Sequence, residues 1–149
     1  MLALRRVAPF LLLLLLASGG AWLVGSAPRG AGPAGSYALL LQGPGGEILF
    51  DGSVEVQEAT ALSVLRAAAG QADLDLEVEG EGGPCGWVYV VAVAGHREAG
   101  SAGWEYWVRP AGGAWDLPDH SAACHALRPG DSVLWRWTPS PSAPGEPPQ

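Results

Sequence analysis

The hydrophobic positions of this chain follow different spacings in different stretches, and each spacing predicts its own element. Tyr37 to Gln42 is an apolar run closed by Gly43-Pro44-Gly45-Gly46, after which Glu47 to Phe50 resumes. Asp51-Gly52 then reads as a turn between strands, and Val54-Glu55-Val56 alternates, so this part predicts a meander of two or three short strands. From Ala61 to Gly70 the spacing changes. Leu62, Leu65 and Ala69 share one helical face, with Thr60 placed to cap the helix and Gly70 to end it.

Leu74, Leu76 and Val78 next alternate with Asp75, Glu77 and Glu79, the pattern of a half-buried strand with an acidic outer side. Trp87 to Ala94 is almost continuously apolar and rich in β-formers, which suits a central strand. Trp104 to Val108 predicts another strand, ended by Arg109-Pro110-Ala111-Gly112-Gly113. A turn at Leu127 to Asp131 leads into Ser132 to Trp137. One helix after the first strands, followed by further strands, predicts an α+β, β-grasp-like domain with its helix packed on a mixed sheet.

The two ends have a different pattern. Arg5-Arg6, six consecutive leucines from Leu11 to Leu16, and Ala17-Ser18-Gly19-Gly20-Ala21 have the layout of an export signal over residues 1–25. No charge falls between Arg6 and Arg29, so the same stretch also reads as an uncleaved membrane anchor through residues 7–25. Both readings put the remainder outside the cytoplasmic membrane, secreted or tethered. Residues 26–35 have the composition of a Pro/Gly spacer, and residues 139–149 that of a disordered proline-rich tail. The folded part is then 36–138.

Composition narrows the function classes. The chain has 149 residues and a formal net charge of −7, and with Arg5 and Arg6 set aside the body is more acidic still. Such a surface is unsuited to nucleic acid. The length suits one domain rather than the two of most cofactor enzymes.

The order Val54-Glu55-Val56, Thr60 to Ala69, Gly86-Trp87-Val88-Tyr89-Val90-Val91, Gly103-Trp104-Glu105-Tyr106-Trp107-Val108 and Leu127 to Trp137 with its Pro129-Gly130-Asp131 turn resembles the C-terminal domain of transcobalamin and intrinsic factor. A bacterial family of uncharacterised surface domains shares it. The resemblance covers nearly all of the folded part and implies a lid-like domain that closes over one face of cobalamin. In those carriers a helical barrel holds the other face, and this sequence has no counterpart to it. A second departure follows the aromatic strand, where the bacterial domains have Val-Asn-Gly and this chain has Val108-Arg109-Pro110.

Cys85 and Cys124 are the two cysteines of a chain that reads as exported, so a disulfide is their simplest use. On the chain-entropy account it contributes about 3 to 4 kcal/mol. A metal site built from Cys124, His125, His120 and Asp119 or Asp116 lacks the ligand spacing of structural zinc, so no metal is expected. Asp75, Glu77, Glu79 and Glu81 could bind calcium, but carboxylates alternating along one strand more often form its solvated side. His96, His120 and His125 have turn or polar neighbours and read as surface residues. No Gly-x-Ser-x-Gly elbow or other nucleophile–base set is present, so a non-enzymatic protein is expected.

Seven Trp remain to be explained, six of them in the folded part. Together with Tyr89 and Tyr106 they exceed what so small a core can fully bury. Trp104 and Tyr106 face one side of their strand and Glu105 and Trp107 the other, so one of these sets is expected at the surface. Trp87, Trp104, Tyr106 and Trp107 are therefore the candidate ligand-binding residues. The favoured function is a binding module for a cobalamin-like or other small ligand. The alternative is a structural or protein-interaction domain of the cell surface with no small-molecule ligand.

Overall fold

The computed structural model describes residues 30–80 and 85–140. The leader, the first part of the spacer, Glu81 and most of the proline-rich tail lie outside the described residues. The domain is α+β: a four-stranded mixed sheet carrying one helix, beside a separate three-stranded antiparallel sheet.

Strand β1 (Gly35–Gln42) and strand β2 (Ile48–Val56) form a hairpin around a single 3-10 turn at Pro44–Gly46. Here the structure corrects the sequence reading. Asp51-Gly52 is not a turn but the middle of β2, with Asp51 opposite Leu40 and Gly52 opposite Leu39. The turn chemistry is supplied by Gly45 and Gly46, both at positive φ (75° and 82°), so the hairpin reverses there and β2 runs on without a break. Gly52 leaves room for a neighbour, since a Cβ on it would meet the Phe50 ring at 3.3 Å.

Helix α1 (Ala61–Gln71) starts as its sequence predicts. Thr60 caps it through a reciprocal pair, the Ser63 amide donating to Thr60 Oγ1 (3.0 Å) and the Thr60 amide to Ser63 Oγ (2.8 Å). Its end differs from the prediction. Gly70 lies inside the helix, and the left-handed residue that follows the helix is Asp73, at φ 54°. Aspartate tolerates that region better than most residues, so no glycine is needed at the exit.

Strands β3 (Leu76–Glu79), β4 (Tyr89–Val93) and β5 (His96–Arg97) form the small sheet in that order, with β4 in the middle. Strand β6 (Gly103–Arg109) is the far edge of the large sheet, whose order is β2-β1-β7-β6 and in which β7 (Ser132–Thr138) runs parallel to β1. Leu39, Leu41, Val54, Val64, Leu65, Val133 and Trp135 meet between this sheet and α1, and Val90 and Val93 of β4 join the same core. The buried Trp135 indole donates to the Ala61 carbonyl at 3.1 Å, tying β7 to the first turn of the helix.

Part of the stretch expected as a spacer is built into the domain. Gly32 and Ala59 exchange both backbone hydrogen bonds (2.8 and 3.0 Å), and the Tyr37 hydroxyl donates to the Pro33 carbonyl at 2.9 Å. A Cβ on Gly32 would sit 1.8 Å from the Leu127 carbonyl oxygen, so only glycine fits there.

Candidate functional site

Cys85 and Cys124 are bonded, with their Cα atoms 5.1 Å apart and 39 positions between them in sequence. The bond joins the run entering β4 to the loop before β7. Gly30 lies against it, the Cys85 sulfur being 3.3 Å from where a Cβ would stand, so the N-terminal stretch joins the domain beside the disulfide.

Immediately after Cys85 come the most exposed aromatic residues of the described chain. Trp87 is 67% exposed and Tyr89 58%. Side chains alternate along this extended run, and the alternation of half-buried Val88 and buried Val90 with Trp87 and Tyr89 puts the two rings on the same, outward side. Backbone and side-chain bonds hold the run in place. Ser121 Oγ donates to the Gly86 carbonyl at 3.1 Å and accepts from the Val88 amide at 3.4 Å. Gly80 lies so close beneath that a Cβ on it would stand 2.1 Å from the Trp87 carbonyl oxygen.

The other three candidate rings are placed differently from the expectation. Tyr106 is 8% exposed and Trp107 1%, so neither side of β6 offers an open aromatic face. Trp107 donates to Glu105 Oε1 at 3.1 Å and lies 5.2 Å beneath the Arg136 guanidinium, which itself bonds Glu105. An ion pair thus lies against the indole on one of the two strand sides that the sequence left as candidates for exposure. Tyr106 packs against Trp135 in a tilted pair with centroids 5.3 Å apart and donates to the His120 carbonyl at 2.7 Å. Burial, with Asp119 and Asp116 nearby, raises its pKa well above the usual tyrosine value. Trp104 is half-buried, its indole donating to the His96 carbonyl at 2.9 Å. Of the four candidates, Trp87 alone is largely exposed, and it is joined by Tyr89, which the candidate set did not include.

A second cluster lies on the far side of Ser121. His125 Nδ1 and His120 Nε2 are 2.9 Å apart, with the ring planes nearly parallel (16°), and His120 Nδ1 is 3.2 Å from Asp119. Burial and the neighbouring His120 lower the His125 pKa below its ordinary value. A cleft of about 230 Å³ opens next to His125, bordered by Asp116, Arg128 and Asp131. Sequence reasoning grouped these two histidines only as members of a metal set that lacked zinc spacing, and no periodicity foretold that their rings would bond each other. Among the described residues no group of three or more His, Cys, Asp or Glu is arranged to hold a metal ion. On the acidic strand, Glu77 is engaged by Arg97. No helix among the described residues is long and apolar enough to cross a membrane.

The fold and this surface define a small disulfide-linked α+β domain with an exposed tryptophan–tyrosine pair. No protein-family model matches the chain, and no curated protein matches it.

Proposed function

We propose that this protein is an exported or membrane-tethered, non-enzymatic binding module whose contact surface is the Trp87–Tyr89 pair. The observation that carries the reading is the exposure of these two rings on a run fixed by the disulfide and by Ser121. Large apolar rings left in water beside a crosslink have no packing role, and preorganised aromatics are suited to stacking on a flat ligand or anchoring a partner. The disulfide is compatible with an extracellular setting.

The β-grasp-like reading and the resemblance to transcobalamin-type domains belong to the same proposal. They are supported by the parallel pairing of β1 with the last strand and by the helix that follows the first hairpin. The ligand class they imply is a corrinoid such as cobalamin, stacked by one face on Trp87. A single such surface covers little of a large ligand, so the affinity is weak, with a Kd of the order of 1 mM to 1 μM. The test is equilibrium dialysis of the full chain in mild detergent against cobalamin, repeated with Trp87→Ala. Binding that is lost in the variant supports the reading, and no binding at about 1 mM ligand ends the corrinoid reading.

A second reading, a protein-interaction domain without a small ligand, is favoured by the outer edge of the large sheet. Among the described residues β2 pairs only with β1, and it opens on Ile48, which is 55% exposed. An unpaired strand edge of this kind can accept a strand from a partner.

A further inference from the structure

Two residues of one loop grip the Trp87 run, and each is adjacent in sequence to one member of the histidine pair. Ser121, which bonds Gly86 and Val88, follows His120, and Cys124, which is linked to Cys85, precedes His125. The facing nitrogens of the two imidazoles close this loop at 2.9 Å. The loop also serves the helix, the Ala122 carbonyl accepting from Leu62 N at 3.1 Å and the His125 carbonyl from Ala61 N at 3.3 Å.

The bond between the rings tolerates one proton and no more. With His120 Nδ1–H directed at Asp119, a neutral pair has His125 Nδ1–H donating to His120 Nε2, and a singly charged pair reverses that bond without breaking it. A second added proton places N–H against N–H, and the contact becomes a repulsion between two cations. The groups facing His125 are His120 and the edge of the Tyr106 ring, with Asp116, Arg128 and Asp131 around the adjoining cleft. Asp119 faces His120.

We propose that His120 and His125 form a proton-operated latch on the Trp87 surface, closed while the pair shares one bridging proton and opened when both rings are charged, with release of Ser121 from Gly86 and Val88. The disulfide keeps the opened loop attached, so acid changes the presentation of Trp87 without detaching the run. The latch rests on the binding-module reading only in treating Trp87 as the contact residue. Its effect on stability has a definite sign. His125 is held below its ordinary value of 6.5, so the unfolded chain takes up a proton that the closed loop refuses. The contribution to stability is complete above about pH 6.5 and is lost as the pH falls through the folded-state value.

The test is an NMR titration of the ¹⁵N-labelled full chain in detergent micelles from about pH 7.5 to about pH 5, the range in which histidine charge changes. The latch requires the His125 ring, the Val88 amide and the Trp87 indole to move in one step, with amide protection of Val88 falling about tenfold. His125→Gln should abolish that step at Trp87, and His96→Gln should leave it intact. Ser121→Ala, which keeps both rings, should leave His125 titrating while Val88 is unprotected throughout. The proposal is overturned if His125 titrates with Val88 and Trp87 unmoved, or if the coupled step survives Ser121→Ala. None of these signals needs a ligand, so failure of corrinoid binding and failure of the latch are separate outcomes.

Discussion

The helix-bearing sheet and the disulfide-linked end of the domain differ in how much of their order comes from burial. In the first, Tyr37, Leu39, Leu41, Val64, Leu65 and Val133 are all at most 2% exposed, strands run for seven to nine residues, and α1 closes the layer. In the second, β3 has four residues and β5 two, exposure alternates along β3, and the run into β4 leaves Trp87 and Tyr89 in water. Burial of apolar area stabilises the first region, whereas in the second only β4 is buried, through Val90 and Val93 in the same core, and a covalent link and a few backbone bonds fix the rest. A site that presents rings to a partner cannot also bury them, and so the proposed contact surface falls in the less buried region.

The largest test of this contrast is Leu65→Ala. The side chain is fully enclosed under the large sheet, and its removal should cost about 2 to 5 kcal/mol in denaturant unfolding of the full chain. A loss below about 1 kcal/mol would mean that the helix face is not where stability resides. Next comes the double change Cys85→Ser with Cys124→Ser. It should cost about 2 to 4 kcal/mol, and hydrogen exchange should rise first at Val88 to Val90 while β1 and β7 keep their protection. Uniform loss of protection would show that the two regions unfold as one unit. Thr60→Ala is smaller again, about 1 kcal/mol, because it removes the side-chain partner of the Ser63 amide at the helix start.

How much of this was legible in the sequence follows the same division. Regular spacing betrayed α1, its Thr60 cap, and the strands containing Tyr37 to Leu41 and Val133 to Trp137, since those patterns arise from burying one face. The disulfide followed from a pair of cysteines in a chain whose leader reads as an export signal. What escaped depends on tertiary neighbours. Trp107 stayed a candidate for exposure because alternation cannot reveal the Glu105–Arg136 pair lying against it. Asp51-Gly52 read as a turn because local turn preference ignores the register that β1 imposes through Leu39 and Leu40. The residues of the proposed contact surface were half legible. Trp87 was named as a candidate, but nothing in its spacing said that it would be the exposed one, and the meeting of His120 with His125 depends on how one loop folds back.

The smallest change sharpens the contrast by its sign. Gly70, expected to end the helix at positive φ, would have made Gly70→Ala destabilising. It lies instead within α1 on the exposed side, and a Cβ there meets nothing within 4 Å. Alanine removes backbone freedom from the unfolded chain without crowding the folded one, so Gly70→Ala should stabilise by about 0.5 to 1 kcal/mol. Thermal melting of the variant decides the matter. A higher Tm with the Val88 amide unchanged in exchange would show that gains made on the helix stay in the helix-bearing region. A lower Tm would return the helix end to Gly70 and with it the boundary drawn here between α1 and the left-handed Asp73.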